Sequence, residues 1–279
     1  MSTGINILMY HQVGEFAPMQ AHRSTYCDHR RFASQMRYLA RFGYRVLSMD
    51  EVLASLRGEM PVPPKAVALT FDDGYENFYE YAFPVLKKHG FPAMVYLISS
   101  MLGQPSSWFA RDGRATPPLM SAARVRQLRA EGIDFGSHSA THVKLAEVDD
   151  ATIREEVTRS KRELEDVLGE PVRHFCYPYG SHDLRAVEAV AAAGYECATT
   201  CVRAPASTAD DPLTLPRKAV SWGDNLLGLA WRLHMKNTPK QVPIRRSGRS
   251  FAPLTGDDPA STNALSPSPS PASGRGENN

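Results

Sequence analysis

Six chemically capable side chains stand where apolar runs of this sequence stop. His11 follows the run 5–10, Asp72 and Asp73 follow 65–71, His138 and His142 follow 133–136, and Tyr179 follows 172–177. Two imidazoles with three residues between them, joined by one carboxylate, make a donor set for a divalent metal that keeps open positions. Water can occupy such a position, which is what makes a site of this kind catalytic. Successive side chains of a strand diverge, so Asp72 and Asp73 do not both reach one ion easily, and one carboxylate is left for another role. A metal lowers the pKa of bound water towards about 7, and a neighbouring carboxylate can take its proton as the water attacks a carbonyl. Hydrolysis of an amide or ester is the reaction class.

The elements that must position these groups alternate. Strands are expected at 5–10, 44–47, 65–71, 93–98, 133–136, 172–177 and 195–200, with 213–220 as a further one. Between them, Phe32, Met36 and Leu39 recur at helical spacing over 30–42, and Ser48 caps a helix through Leu56. Helices are also expected at 77–89 (closed by Gly90), 121–130, from Asp149 or Asp150 through Leu168 with Ile153, Val157 and Leu164 on its apolar stripe, and at 183–193. Such alternation gives a parallel sheet, curled into a barrel or doubly wound, whose chemistry collects at the strands' C-terminal ends. Residues 15–29 are expected to be irregular, and 101–119 to form a loop at the mouth of the site. One domain, 1–244, is expected, followed by a disordered Ser/Pro-rich tail over 245–279 around the run 266–271.

Composition excludes some functions. With 32 basic and 30 acidic residues the 279-residue chain carries a net charge of +2, which gives no electrostatic footprint for nucleic acid. The four cysteines have neither the density nor the spacing of a disulfide scaffold or a metal knuckle. No signal peptide is apparent at the start, and no apolar run approaches the roughly 20 residues of a membrane span. A cytoplasmic protein is expected, with peripheral membrane contact as the remaining route to a lipid surface.

The strings Thr70-Phe71-Asp72-Asp73-Gly74 and His138-Ser139-Ala140-Thr141-His142 resemble the first two motifs of polysaccharide deacetylases of the NodB-homology type, carbohydrate esterase family 4. Met9-Tyr10-His11-Gln12-Val13 and Phe175-Cys176-Tyr177-Pro178-Tyr179-Gly180 resemble the branch that includes deacetylases of poly-N-acetylglucosamine. The four motifs occur in the family's order over residues 5 to about 220. The resemblance implies an α/β fold, a distorted (β/α) barrel of about seven parallel strands. It implies Asp73, His138 and His142 as ligands of a divalent metal, usually Zn2+, with Co2+, Ni2+ or Fe2+ as alternatives. It further implies Asp72 as general base and the backbone N–H of Tyr179 as an oxyanion donor. The substrate implied is an N-acetylated glycan or a lipid-linked sugar.

Two departures from the family pattern stand out. Cys176 occupies the place of an arginine that orients the base in many members, and Arg217 is taken as its substitute, with Arg173 as the alternative. The family's late Leu-x-x-His motif, which supplies the general acid, has only a poor match at His234; His11 could reach the site instead, and the acid is left open. His22, His29, His89 and His174 are expected to be structural or exposed, and His182 to belong to a helix start. Cys197 and Cys201 are expected to share one strand face as ordinary apolar packing, and Trp108 and Trp222 to line a sugar subsite or the core. Rival readings are a non-haem iron oxygenase, a deformylase or other amide hydrolase acting on a lipid-linked sugar, and a degenerate glycan-binding member.

Overall fold

The computed structural model describes residues 4–18, 21–235, 237–239 and 242–251. In chain order its elements are β1 (Asn6–Tyr10), β2 (Gln12–Gly14), β3 (Tyr26–Asp28), α1 (His29–Arg41), β4 (Arg45–Leu47), α2 (Met49–Leu56), β5 (Ala66–Phe71), α3 (Phe83–His89), β6 (Met94–Leu97), α4 (Ala122–Ala130), β7 (Asp134–Ser137), α5 (Asp150–Leu168), β8 (His174–Cys176), α6 (Leu184–Ala192), β9 (Cys197–Thr199), β10 (Lys218–Ala219) and α7 (Leu226–Met235).

Every pairing in the main sheet is parallel, in the order β10-β1-β5-β6-β7-β8-β9. Along one side of β5, β4 pairs with residues 66–68 and β6 with 70–71, so two short strands share one edge. Thr199 bridges Leu215 in parallel, and Lys218 pairs with Leu8. The run 215–219 therefore touches β9 at its start and β1 at its end. The result is the distorted (β/α) barrel of seven strands expected from the sequence.

Strand alternation decides what faces the barrel axis. Leu8, Tyr10, Val67, Leu69 and Phe71 pack outward against Phe32, Met36 and Leu39 of α1 and the other helices. Ile5, Ile7, Ala66 and Ala68 belong to a second buried cluster with Tyr96, Cys176 and Leu215. Extending those inward rows to the strand ends gives Met9 and His11 on β1, and Thr70 and Asp72 on β5. Side-chain parity thus carries acid and base groups to the mouth without any special loop.

Three expectations change. The segment 15–29 contains β3, which pairs with β2 through Gln12–Tyr26 and Gly14–Asp28; strands of three residues are too short to leave a periodic signal. The helix expected over 77–89 is a π turn over Phe78–Ala82 leading into α3. Pro84 lies at the start of α3, where its missing N–H costs least. The tail does not begin at 245: Arg246 donates Nε and Nη2 to the buried Asp211 carboxylate at 2.9 and 2.8 Å, and Phe251 packs on the second cluster. A fully buried carboxylate needs a counter-charge, and that requirement overrides local composition. The run 266–271 lies outside the described residues.

Candidate active site

Asp72 ends the inward row of β5, and its N–H donates to Tyr10 O at 2.9 Å. Arg217 approaches it from across the barrel and donates Nη1 to Oδ1 and Nη2 to Oδ2, both at 2.7 Å. The same guanidinium donates to Thr200 O at 3.0 Å, Thr70 Oγ1 at 3.0 Å and Cys176 Sγ at 3.1 Å. Both partners are buried. Burial alone would push the Asp72 carboxyl up; the Arg217 charge and its two hydrogen bonds outweigh it and hold the group below its ordinary value. Of the two candidates for this role, Arg217 takes it. Arg173 pairs with Asp50 and Glu196 and does not line the cavity.

Asp73 turns away from its neighbour because the backbone turns. Asp73 and Gly74 both have φ +73°, and a Cβ on Gly74 would stand 2.6 Å from Leu97 Cδ2, so a larger residue there would be strained and would displace that side chain. Asp73 Oδ1 lies 3.3 Å from Nε2 of His138 and 3.3 Å from Nε2 of His142. His138 follows β7, and its Nδ1 is 2.8 Å from Cys176 O. A proton on Nδ1, donated to that carbonyl, would free Nε2 to bind an ion shared with Asp73.

His142 has φ +64° and its N–H donates to Ser139 Oγ at 3.0 Å. Its ring lies 4.5 Å from those of Trp108 and Tyr179. Burial lowers its pKa below the ordinary value, which favours the neutral imidazole that ligates metals. One ligand atom from each of Asp73, His138 and His142 lies within 4.8 Å of the others. An edge of 3.3 Å is that of a tetrahedron with bonds of about 2.0 Å, the length of zinc bonds to nitrogen and oxygen, so the three residues fit a divalent ion.

The loop carrying both histidines is fastened by Glu156 of α5. Its carboxylate accepts from Ala140 N (3.0 Å), Thr141 N (2.8 Å) and Thr141 Oγ1 (2.5 Å). Glu156 is buried and had a sequence signal: it stands three residues after Ile153, on the apolar stripe of α5.

A cavity of about 410 Å3 opens over these groups. His11 lines it with Nε2 3.9 Å from Asp72 Oδ2, and Tyr179, at φ +58° and exposed, stands at its edge. Trp108 lines it, whereas Trp222 packs on Phe16 and under Arg31. His234 is held by the Tyr44 hydroxyl at 2.9 Å, outside the cavity. His182 bonds Gly180 O, and Asp183 caps α6.

Two further residues line the cavity without having been expected there. Cys201 falls on the inward side like Cys197, as expected, but beyond the end of β9 at Thr199 it lines the cavity, with Sγ 3.9 Å from Met9 Sδ, instead of packing in the core. His22, exposed as expected, also lines it, beside Ser24 and Thr25. It lies in the segment expected to be irregular, where no periodicity marks it.

Residues 59–198 match the sequence model of the family described as polysaccharide deacetylase. YxkH of Bacillus subtilis (strain 168), whose name assigns it to the polysaccharide deacetylases only provisionally, is 25% identical over 217 residues, 78% of this chain and 71% of that protein. A poly-beta-1,6-N-acetyl-D-glucosamine N-deacetylase of Staphylococcus aureus (strain N315) is 26% identical over 160 residues, 53% of this chain and 52% of that protein. Among solved structures, the Streptococcus pyogenes deacetylase PplD in complex with acetate superposes with a TM-score of 0.71 at 25% identity, over 83% of this chain and 98% of that one.

Proposed function

We propose, from the premise that this chain belongs to the polysaccharide deacetylase family, that it removes N-acetyl groups from a glycan of the poly-N-acetylglucosamine kind, with Zn2+ held by Asp73, His138 and His142. The observation that carries this reading is the division of labour between adjacent aspartates: Asp72 is gripped by Arg217 at 2.7 Å while Asp73 faces two imidazoles at 3.3 Å. A divalent ion at the Asp73 site supplies Lewis acidity, polarising the acetamide carbonyl and acidifying the attacking water.

The chain's own groups do the rest. Asp72, kept ionised and fixed in orientation by Arg217, accepts the proton of the water, a role worth about 10²–10⁴ in rate. The backbone N–H of Tyr179 donates to the developing oxyanion, worth about 10²–10³. His11, with Nε2 3.9 Å from Asp72 Oδ2 in the cavity wall, delivers a proton to the leaving amine. Trp108 offers a face on which a sugar ring stacks.

Acetate release from β-1,6-linked N-acetylglucosamine oligomers, with metal content measured on the same sample, tests the reading. Full turnover by Asp73→Ala or His138→Ala with metal still bound would sink the site assignment, and release of formate from an N-formyl sugar in preference to acetate would move the function to a deformylase. Cytoplasmic action would fall on a precursor, a lipid-linked sugar being one such substrate, so comparison of lipid-linked and free oligomers separates that case from action on finished polymer.

A further inference from the structure

Helix α7 is apolar on two opposite faces. Leu229 and Leu233 are buried against the barrel. At about 100° per residue, Leu227, Trp231 and Met235 fall within an arc of about 80° on the opposite side. These three are 80%, 55% and 61% exposed. Leu226 at the helix start, Val242 beyond the helix and Phe42 at the end of the neighbouring α1 are exposed as well. Of the eight large apolar side chains exposed among the described residues, six therefore belong to this region.

The stretches of sequence around α1 and α7 carry charge of one sign. Residues 29–41 and 225–251 hold four and six of the 32 Lys and Arg and none of the 30 Asp and Glu, which leaves 22 basic against 30 acidic residues elsewhere. Arg232, Arg245 and Arg246 are engaged by Asp224, Asp210 and Asp211. Arg37, Arg41 and Arg249 are exposed. Among the described residues, no helix is long and apolar enough to cross a membrane.

We propose that this face of α7 rests on a membrane surface containing anionic lipid, with Leu227, Trp231 and Met235 entering the boundary between headgroups and acyl chains. An exposed apolar stripe with a tryptophan, flanked by Arg and Lys, is the chemistry of a helix lying in the interface rather than spanning it. A second copy of the chain fits less well, because two such faces would bring like charges together. The start of α7 is near the cavity: the backbone N–H of Trp222, in the loop just before it, donates to Arg23 O at 2.7 Å, and Arg23 lies between His22 and Ser24 of the cavity wall. Membrane docking of this face does not depend on the deacetylase reading.

The test is co-sedimentation of the full chain with phosphatidylcholine vesicles, with and without phosphatidylglycerol, at low and high salt. Tryptophan emission is recorded in parallel. The expected result is binding to the anionic vesicles only, weakened by salt, with a blue shift that Trp231→Phe removes. The triple variant Leu227→Ser, Trp231→Ser, Met235→Ser should bind about tenfold more weakly while keeping its melting temperature and its acetate release from a soluble oligomer. Several results would overturn the proposal: no sedimentation with either vesicle, equal binding by the triple variant, a wild-type dimer that the triple variant converts to monomer, or binding that appears only after removal of residues 252–279.

Discussion

Removing the guanidinium from Arg217 should damage stability and turnover together, and the structure says by how much. In Arg217→Met the buried Asp72 carboxylate loses both of its 2.7 Å partners, and nothing in the apolar side chain replaces them. Breaking a buried pair from one side costs about 3–5 kcal/mol. For a chain of this size each kcal/mol moves Tm by about 2–4 °C, so a drop of about 6–20 °C is expected by calorimetry of the metal-free protein.

The sign of the pH dependence follows from which state holds the proton. In the wild type the folded Asp72 pKa is depressed, so its contribution is present above the unfolded value of about 3.9 and is lost as pH falls through the folded value. In the variant burial is opposed only by the more distant His11 and His138, the folded pKa rises, and stability is lost as pH rises. The gap between the two proteins should therefore widen from acid to neutral pH. Adding Asp72→Asn to Arg217→Met removes the orphaned charge and should recover part of the stability but none of the activity. Arg217→Met alone should lower kcat about a hundredfold, the cost of a base displaced by about 1 Å. If it melts with the wild type at neutral pH and turns over at the wild-type rate, the arginine does not hold the base and the reasoning fails.

Chelation should abolish acetate release, and Zn2+ should restore it; Asp73→Ala and His138→Ala should lose bound metal, read by atomic absorption. Glu156→Ala withdraws the acceptor of three hydrogen bonds from the loop between the histidines, and metal affinity should fall about 10–100-fold in a competition titration while the circular dichroism spectrum is kept. Gly180→Ala would put a Cβ 2.7 Å from Cys201 Cβ at φ +67°, so the turn holding Tyr179 must shift; kcat should fall more than KM rises, with Tm little changed.

The parallel barrel was legible because its signals are local and repeated: each strand is an apolar run ended by a polar group, and each helix has its own stripe and cap. Placement of the site residues followed from the same parity, since the row Ala66, Ala68, Thr70 leads to Asp72 without knowledge of any partner strand. What escaped the sequence depends on contacts between distant segments. The β2–β3 pair is too short to show a period, and the packing of 245–251 is set by Asp211, which lies 35 residues before Arg246. Cys201 continues the inward parity of Cys197 but, two residues past the end of β9, lines the cavity rather than packing in the core.

Arg217 shows where the boundary between the two cases runs. The axis of the barrel is reached from every strand, so the charge that steadies Asp72 can arrive from any of them. With Cys176 on β8 contributing a small sulfur instead of a guanidinium, the side chain ahead of β10 fills that volume and places Nη2 3.1 Å from Cys176 Sγ. A motif read along one strand reports a vacancy there. Charge balance across the barrel reports an obligation instead: a buried aspartate at a strand end demands a buried cation on an inward position elsewhere. That demand is legible in the amino-acid sequence, and Arg217, preceding the last strand, is among the few arginines placed to meet it.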